Sequence, residues 1–288
     1  MRLFCKSILI FFSLSAFSLA QNPTSFVVNT EYKAYWAGFT VAEITSKTTI
    51  KPDQYGISAG YVVKGIAALF NKSENNTMAQ GVISPSGEFR PELYESKGNF
   101  GTLTYFNRAT FDPDTLKVLS HDQELNLRED TEYIPIEENE KYGFDPMTIF
   151  LNMMTNKNFK EDYKEFYTER QFGGIFVSEQ TFICKEEKIM AAESCSVFEG
   201  EAIGCSIDGK RLAGQIKRTK PRKKRKRSRV DDNRESLLWF GKMDGFNAMI
   251  PVYTEFPVGW GKVRIYLSGF SVEPIDKLLL TAENQATN

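Results

Sequence analysis

Apolar and polar residues alternate with a period of two over much of this chain, the pattern of strands with one buried face. From Glu31 to Ile50 aromatic and β-branched residues alternate with polar ones, broken only at Ala37-Gly38, which predicts a hairpin or a bent strand. The alternation continues from Tyr55 to Val63, and Lys64 to Phe70 suits one or two helical turns before a polar, loop-like stretch from Asn71 to Thr77. Further strands are expected at Thr77–Ser84, Thr102–Phe111, Leu116–Leu127, Ile175–Lys185, Val197–Ile207, Leu237–Lys242, Ala248–Phe256 and Lys262–Phe270, separated by Pro, Gly and Asp. The period changes at Asp145-Pro146. Asp is a favoured helix N-cap, Pro is favoured at the first helical position, and the following MTIFLNMMTN supplies an apolar face, so a helix is expected from Pro146 to Asn156. A shorter helix is expected over Asp162–Arg170. Strands that do not alternate with helices argue for an antiparallel sheet curling over the helix rather than a doubly wound fold.

The first residues follow neither pattern. An apolar run from Ile8 to Leu19, preceded by Arg2 and Lys6 and followed by Ala20, reads as a secretory signal peptide. At 12 residues it is shorter than the roughly 17–25 that a spanning helix needs. Cleavage after Ala20 is expected, leaving 21–288 as a single sheet-rich domain in the periplasm.

Composition sharpens this picture. The chain holds 23 Phe, 12 Tyr and 3 Trp, side chains that pack well across strands. Its formal charge of −1 conceals a strong asymmetry. Thirteen Lys or Arg against Asp231 and Asp232 give residues 210–234 a charge of +11, and once Arg2 and Lys6 are removed the remainder carries −14. The molecule is an acidic body with one basic segment, read as a disordered loop near 214–234. Within it Arg222, Lys223, Lys224, Arg225, Lys226 and Arg227 are candidates for contact with anionic envelope material such as lipid head groups or lipopolysaccharide phosphates. Nucleic acid is disfavoured, because export removes the chain from it and no aromatic residue interrupts 218–234 for base stacking.

Three cysteines follow the leader: Cys184, Cys195 and Cys205. In an oxidising compartment two pair and one is left over. Cys205, in a strand-like segment, is the expected member of the bridge, with Cys184 or Cys195 as its partner.

No catalytic constellation is legible. The stretch Gly204-Cys205-Ser206-Ile207-Asp208-Gly209-Lys210 approaches a phosphate-binding loop, but Arg211 stands where Ser or Thr is needed and the flanks read as strand and turn. His121 is the single histidine and reads as a surface residue on a polar strand, with Ser120 and Asp122 on the opposite face. One His and three Cys without CxxC spacing argue against zinc, and no metal or cofactor is expected. Paired acids such as Glu137-Glu138 and Glu161-Asp162 read as surface charge, and the sequons at Asn71 and Asn75 fit an exposed loop.

Several short motifs carry a resemblance: Tyr35-Trp36-Ala37-Gly38-Phe39-Thr40-Val41-Ala42, Gly87-Glu88-Phe89-Arg90-Pro91 with Tyr94, Asp145-Pro146, Leu238-Trp239-Phe240, Met249-Ile250-Pro251-Val252 and Gly261-Lys262-Val263. Together they resemble the exported bacterial proteins grouped as domain of unknown function 3108. The chain departs from that pattern at Phe172-Gly173-Gly174, where an Asp-Gly turn is expected, and in its basic insertion. The family resembles in fold the periplasmic lipoprotein carriers. This implies a mainly β (α+β) fold, a strongly curved antiparallel sheet or half-barrel wrapped around one main helix, and a greasy cavity in place of an active site. Trp36, Phe39, Ile149, Phe150, Met153, Met154, Trp239 and Phe240 are the candidate lining for a lipid or acyl ligand. The alternative function is an envelope scaffold that docks through its basic loop.

Overall fold

The computed structural model describes residues 25–69, 72–155, 167–219, 236–258 and 261–275. In chain order these form β1 (Phe26–Trp36), β2 (Phe39–Ile50), β3 (Gln54–Val63), a short helix α1 (Gly65–Ala68), β4 (Ser73–Ile83), β5 (Phe89–Phe100), β6 (Leu103–Phe111), β7 (Val118–Asn126) and β8 (Thr131–Ile134). A 3-10 turn (Glu138–Glu140) precedes α2 (Pro146–Thr155). Then come β9 (Tyr167–Phe172), β10 (Val177–Met190), β11 (Gly200–Ala213), β12 (Gln215–Arg218), β13 (Leu238–Lys242), β14 (Met249–Val258) and β15 (Gly261–Pro274).

Thirteen strands make one antiparallel sheet in the order β7-β6-β5-β4-β3-β2-β1-β15-β14-β13-β11-β10-β9, and β8 pairs with β12 in a small second sheet. The fold is therefore mainly β, as the alternation predicts. The Ala37-Gly38 break is a hairpin turn between β1 and β2, with positive φ at both residues, +49° and +84°, the backbone of the tight turns that match strand twist.

Several elements differ from the sequence expectation. Strand β4 starts at Ser73, so most of the expected 71–77 loop is ladder. Strand β5 was hidden because a bulge against Gln80-Gly81 shifts its period between Pro91 and Leu93. Residues 167–170, expected as the end of a helix, belong to strand β9: pairing with β10 from Phe172 to Tyr167 outweighs the helix preference of a Glu- and Arg-containing segment. The rest of that expected helix lies outside the described residues. At the front of the expected loop, residues 215–218 are strand β12, while 220–235 lie outside the described residues.

The ladder does not close, since β7 and β9 are not bonded to each other. A short stretch of chain stitches these edges instead. Val118 N–H donates to Lys141 O at 3.1 Å and Gly143 N–H to Leu116 O at 3.0 Å on the β7 side, while Phe144 N–H donates to Arg170 O at 2.9 Å and Phe172 N–H to Phe144 O at 2.8 Å on the β9 side. Gly143 is required here: its φ is +124°, and a Cβ would lie 2.5 Å from Arg170 O.

From this stitch the chain turns inward at Asp145, fully buried, and becomes α2. The Asp145 carboxylate caps the helix, accepting from Met147 N–H at 2.8 Å and Thr148 N–H at 3.1 Å, and it also accepts from the Thr148 hydroxyl. That hydroxyl has given its only proton, so Tyr55 on β3 is the donor in the short Tyr55–Thr148 hydrogen bond. One turn later Asn152 grips Phe89 on both backbone groups, accepting from its N–H at 2.8 Å and donating to its C=O at 2.9 Å. The β5–β6 ladder starts at Leu93, so the amide side chain acts as a ladder partner for Phe89.

Burial pushes the Asp145 carboxyl up to about 6, against the pull of its hydrogen bonds to Thr148 and Met147. The native state thus holds this proton more tightly than the unfolded chain, whose Asp titrates near ~4. Its stabilising contribution is complete below pH ~4 and declines as pH rises through about 6, a loss of about 2–3 kcal/mol by pH ~7. Urea denaturation across this range should show that decline in the parent and a flatter profile in Asp145→Asn; parallel profiles would refute the assignment. The structure also chooses Cys184 as the partner of Cys205, the two being opposite one another on β10 and β11, and leaves Cys195 as a free thiol. Non-reducing peptide mapping should recover the 184–205 bridge with Cys195 alkylated, and Cys184→Ala/Cys205→Ala should lose about 3 kcal/mol of stability.

Candidate functional site

Strand alternation sends Phe26, Val28, Thr30 and Tyr32 of β1, Ile44, Ser46, Thr48 and Ile50 of β2, and Ile57 and Ala59 of β3 to the inner face of the sheet. Helix α2 lies over this face and turns Met147, Phe150, Leu151 and Met154 toward it, residues at the 3–4 spacing of one helical stripe. Between the two is a cavity of about 740 Å³, completed by residues of β13 to β15 and by Gly245 to Ala248 of the β13–β14 loop. This volume lies within the usual range of small-molecule pockets, about 300–1,000 Å³. None of the described lining residues is charged.

Polar groups of the lining include Thr155, Asn247 and Thr254, and a strip of hydroxyls on β1 and β2. Thr30 and Ser46 face one another across β1 and β2 with their hydroxyls 2.8 Å apart, and Thr48 lies opposite Val28 on the same face. Burial pushes the Tyr32 phenol up to about 12 against a hydrogen bond to Thr30, so this strip is neutral over the whole biological pH range. A hydroxyl strip in an apolar chamber can bond an ester, amide or hydroxyl of a ligand, and it leaves no fixed charge for a buried ion to pair with.

Met154 has a special position. It packs against all three apolar clusters of the interior: the one around Tyr55, Ile57 and Phe89, the one around Phe182, Phe240 and the Cys184–Cys205 bridge, and the one around Trp239, Ile250 and Leu267. The cavity is the space these clusters leave unfilled beside it.

Of the lining anticipated from sequence, Phe150 and Met154 reach the cavity. Ile149, Met153 and Phe240 are buried in the disulfide-centred cluster, and Trp239 belongs to the third. Trp36 and Phe39 flank the β1–β2 turn away from the chamber, with Phe39 65% exposed. The sequence expectation rests on large aromatics and on the helix residues Ile149, Met153 and Met154, whereas many of the wall residues are medium-sized and stand on alternate positions of β1 to β3. The alternation of Phe26, Val28, Thr30 and Tyr32 is the signal that locates them. Arg222, Lys223, Lys224, Arg225, Lys226 and Arg227 lie outside the described residues.

A second, polar chamber of about 460 Å³ lies on the other side of the Pro146 end of α2, between β4–β6 and β9–β11. Asn75, expected in an exposed loop, instead points inward here, donating to Ser96 at 3.1 Å and to Tyr105. Gln123 of edge strand β7 donates to Asn107 at 3.1 Å and to Gly174 O at 3.2 Å, tying this end of the gap.

His121 also corrects the sequence reading. It faces inward, its ring edge-on to Phe172 at 5.2 Å, and burial first, then the nearby Lys141, depresses its pKa. Ser120 and Asp122 are on the opposite face, with Ser120 bonded to Thr110 at 2.6 Å, so these neighbours form no relay. Residues 204–210 run inside β11 as extended strand, without the loop-to-helix geometry of a phosphate cradle. Among the described residues no group of three His, Cys, Asp or Glu comes together to hold a metal ion.

No protein-family model matches the chain, so membership of the domain of unknown function 3108 family is not shown, and no curated protein matches it in sequence. Among solved structures, a β-barrel-like protein of domain of unknown function 1849 from Brucella abortus is similar with a TM-score of 0.43 and 8% identity, over 87% of this chain and 98% of that one.

Proposed function

We propose that this protein binds a lipid-like ligand, an acyl chain or a comparable apolar group carrying a neutral polar head, in the chamber between α2 and strands β1 to β3, with the sheet acting as a half-barrel around the helix. The observation that carries this reading is a chamber of about 740 Å³ whose described walls hold no charged side chain. Apolar walls gain roughly 25 cal/mol for each Å² of ligand surface they remove from water, and the Thr30, Ser46 and Thr48 hydroxyls give one wall a place for a polar head. The leader at 1–20 and the Cys184–Cys205 bridge are both compatible with a periplasmic site of action, where such a carrier would meet envelope lipids.

Native mass spectrometry of the protein purified under mild conditions, followed by organic extraction, tests the proposal: a stoichiometric lipid supports it, and a protein that stays empty after incubation with envelope lipids overturns it. Ala59→Phe fills the chamber from the strand side. It is expected to weaken binding of a fluorescent acyl probe by at least about tenfold, equivalent to about 1.4 kcal/mol, with little change in thermal midpoint and no dependence of affinity on salt. Equal affinity in parent and variant would remove the chamber as the site.

A further inference from the structure

The polar chamber beyond the Pro146 end of α2 holds bonding capacity that its own side chains do not use. Asn75 directs both amide protons into the protein, to Ser96 and Tyr105, and its oxygen accepts from the Thr77 hydroxyl at 2.7 Å. Thr77 has then given its only proton, so Ser96 is the donor in the 3.0 Å bond between their hydroxyls. This part of the wall is satisfied. Tyr105, by contrast, accepts from Asn75 and keeps its own O–H, for which no described residue is an acceptor. Asn107 is 1% exposed; its oxygen accepts from Gln123 at 3.1 Å, while its Nδ2 has no partner among the described residues. Gln180 donates to Ser178 at 2.9 Å, and its oxygen accepts from no described group. A buried amide without a partner is costly, so these groups mark a place for something polar.

Arg211 is the one charged side chain of the described lining, which contains no acid. It lies on the exposed side of the chamber, its guanidinium 4.0 Å from the centroid of the Phe176 ring, and it makes no ion pair among the described residues. Stacking on Phe176 holds the planar fork in place and leaves its N–H groups for a ligand. Gly209, two residues earlier on β11 and also exposed, stands opposite Gln180, where a Cβ would come within 3.1 Å of the amide. The missing side chain keeps that amide within reach.

We infer that this chamber binds an acidic sugar, a hydroxylated ring bearing one carboxylate, with Arg211 pairing with the carboxylate and Tyr105, Asn107 and Gln180 bonding ring hydroxyls. A sugar hydroxyl both donates and accepts, which suits a wall that offers Tyr105 and Asn107 as donors and the Gln180 oxygen as acceptor. An apolar ligand would leave all three unpaired, and a cation would meet Arg211. One guanidinium balances a single negative charge in bidentate geometry, which favours a carboxylate over a doubly charged phosphate. The volume of about 460 Å³ is within the usual range for small ligands. The two chambers share no lining residue, so this inference does not rest on the ligand proposed for the apolar one.

Isothermal titration calorimetry of the full chain with glucuronate, galacturonate and mannuronate tests it, with glucose as the uncharged comparison and glucose phosphate as the doubly charged one. At least one uronate is expected to saturate the parent, with glucose binding at least about tenfold more weakly. Arg211→Gln should reduce uronate affinity to that of glucose. Gly209→Phe, at a position with ordinary strand backbone, should abolish the binding of both by placing a ring beside Gln180. Both variants are expected to keep the parent's thermal midpoint and its affinity for the acyl probe, which separates failure here from failure of the apolar chamber. The inference is overturned if no uronate saturates the parent, if glucose or glucose phosphate binds as tightly as the best uronate, or if folded Gly209→Phe binds it like the parent.

Discussion

The buried carboxylate of Asp145 is the point at which the parts of this molecule are joined. The residues just before it stitch the two edges of an open sheet, and the residues just after it are the first turn of the helix inside. A backbone entering an apolar interior brings unpaired N–H groups with it, and each left unpaired costs about 1–3 kcal/mol. Asp145 satisfies two of them, Met147 and Thr148, and passes the constraint on to β3 through the Thr148 and Tyr55 hydroxyls. Asn152 fixes the helix a second time, one turn along, on the Phe89 backbone. Two polar clamps on successive turns set both the height and the rotation of α2 over the sheet.

That setting divides the interior. With Thr148 and Asn152 committed to β3 and β5, the stripe of Met147, Phe150, Leu151 and Met154 must face β1, β2 and β14, and the space it does not fill is the apolar chamber. Beyond the Pro146 end of the helix, the same inner face carries Asn75, Thr77, Ser96 and Asn107 and forms the polar chamber. The change from apolar to polar along one continuous face follows from which residues alternate inward on each strand. Hydroxyls and amides are tolerated there because they bond one another.

Much of this was legible from local pattern. Alternation marked most strands, the Ala37-Gly38 turn, and the cap and Pro that begin α2, because strand period, positive φ and helix capping are properties of a few neighbouring residues. Strand β5 was hidden by its bulge and β9 by helix-forming residues, since both are strands only through partners that lie beside them in the sheet. The candidate site divided in the same way. Phe150 and Met154 were identified from the helix, but Ile149 and Met153, one residue away on the same turns, are core, because the rotation of α2 is decided by clamps to Tyr55 and Phe89, more than sixty residues earlier in the chain. Cysteine spacing left two partners open for Cys205, and strand register chose Cys184. The sequence by itself determined most of the strands, the start of α2 and how charge is distributed. The tertiary structure alone decided which apolar residues surround empty space, because a cavity is defined by contacts that are not made, and those depend on the placement of elements remote from one another in the chain.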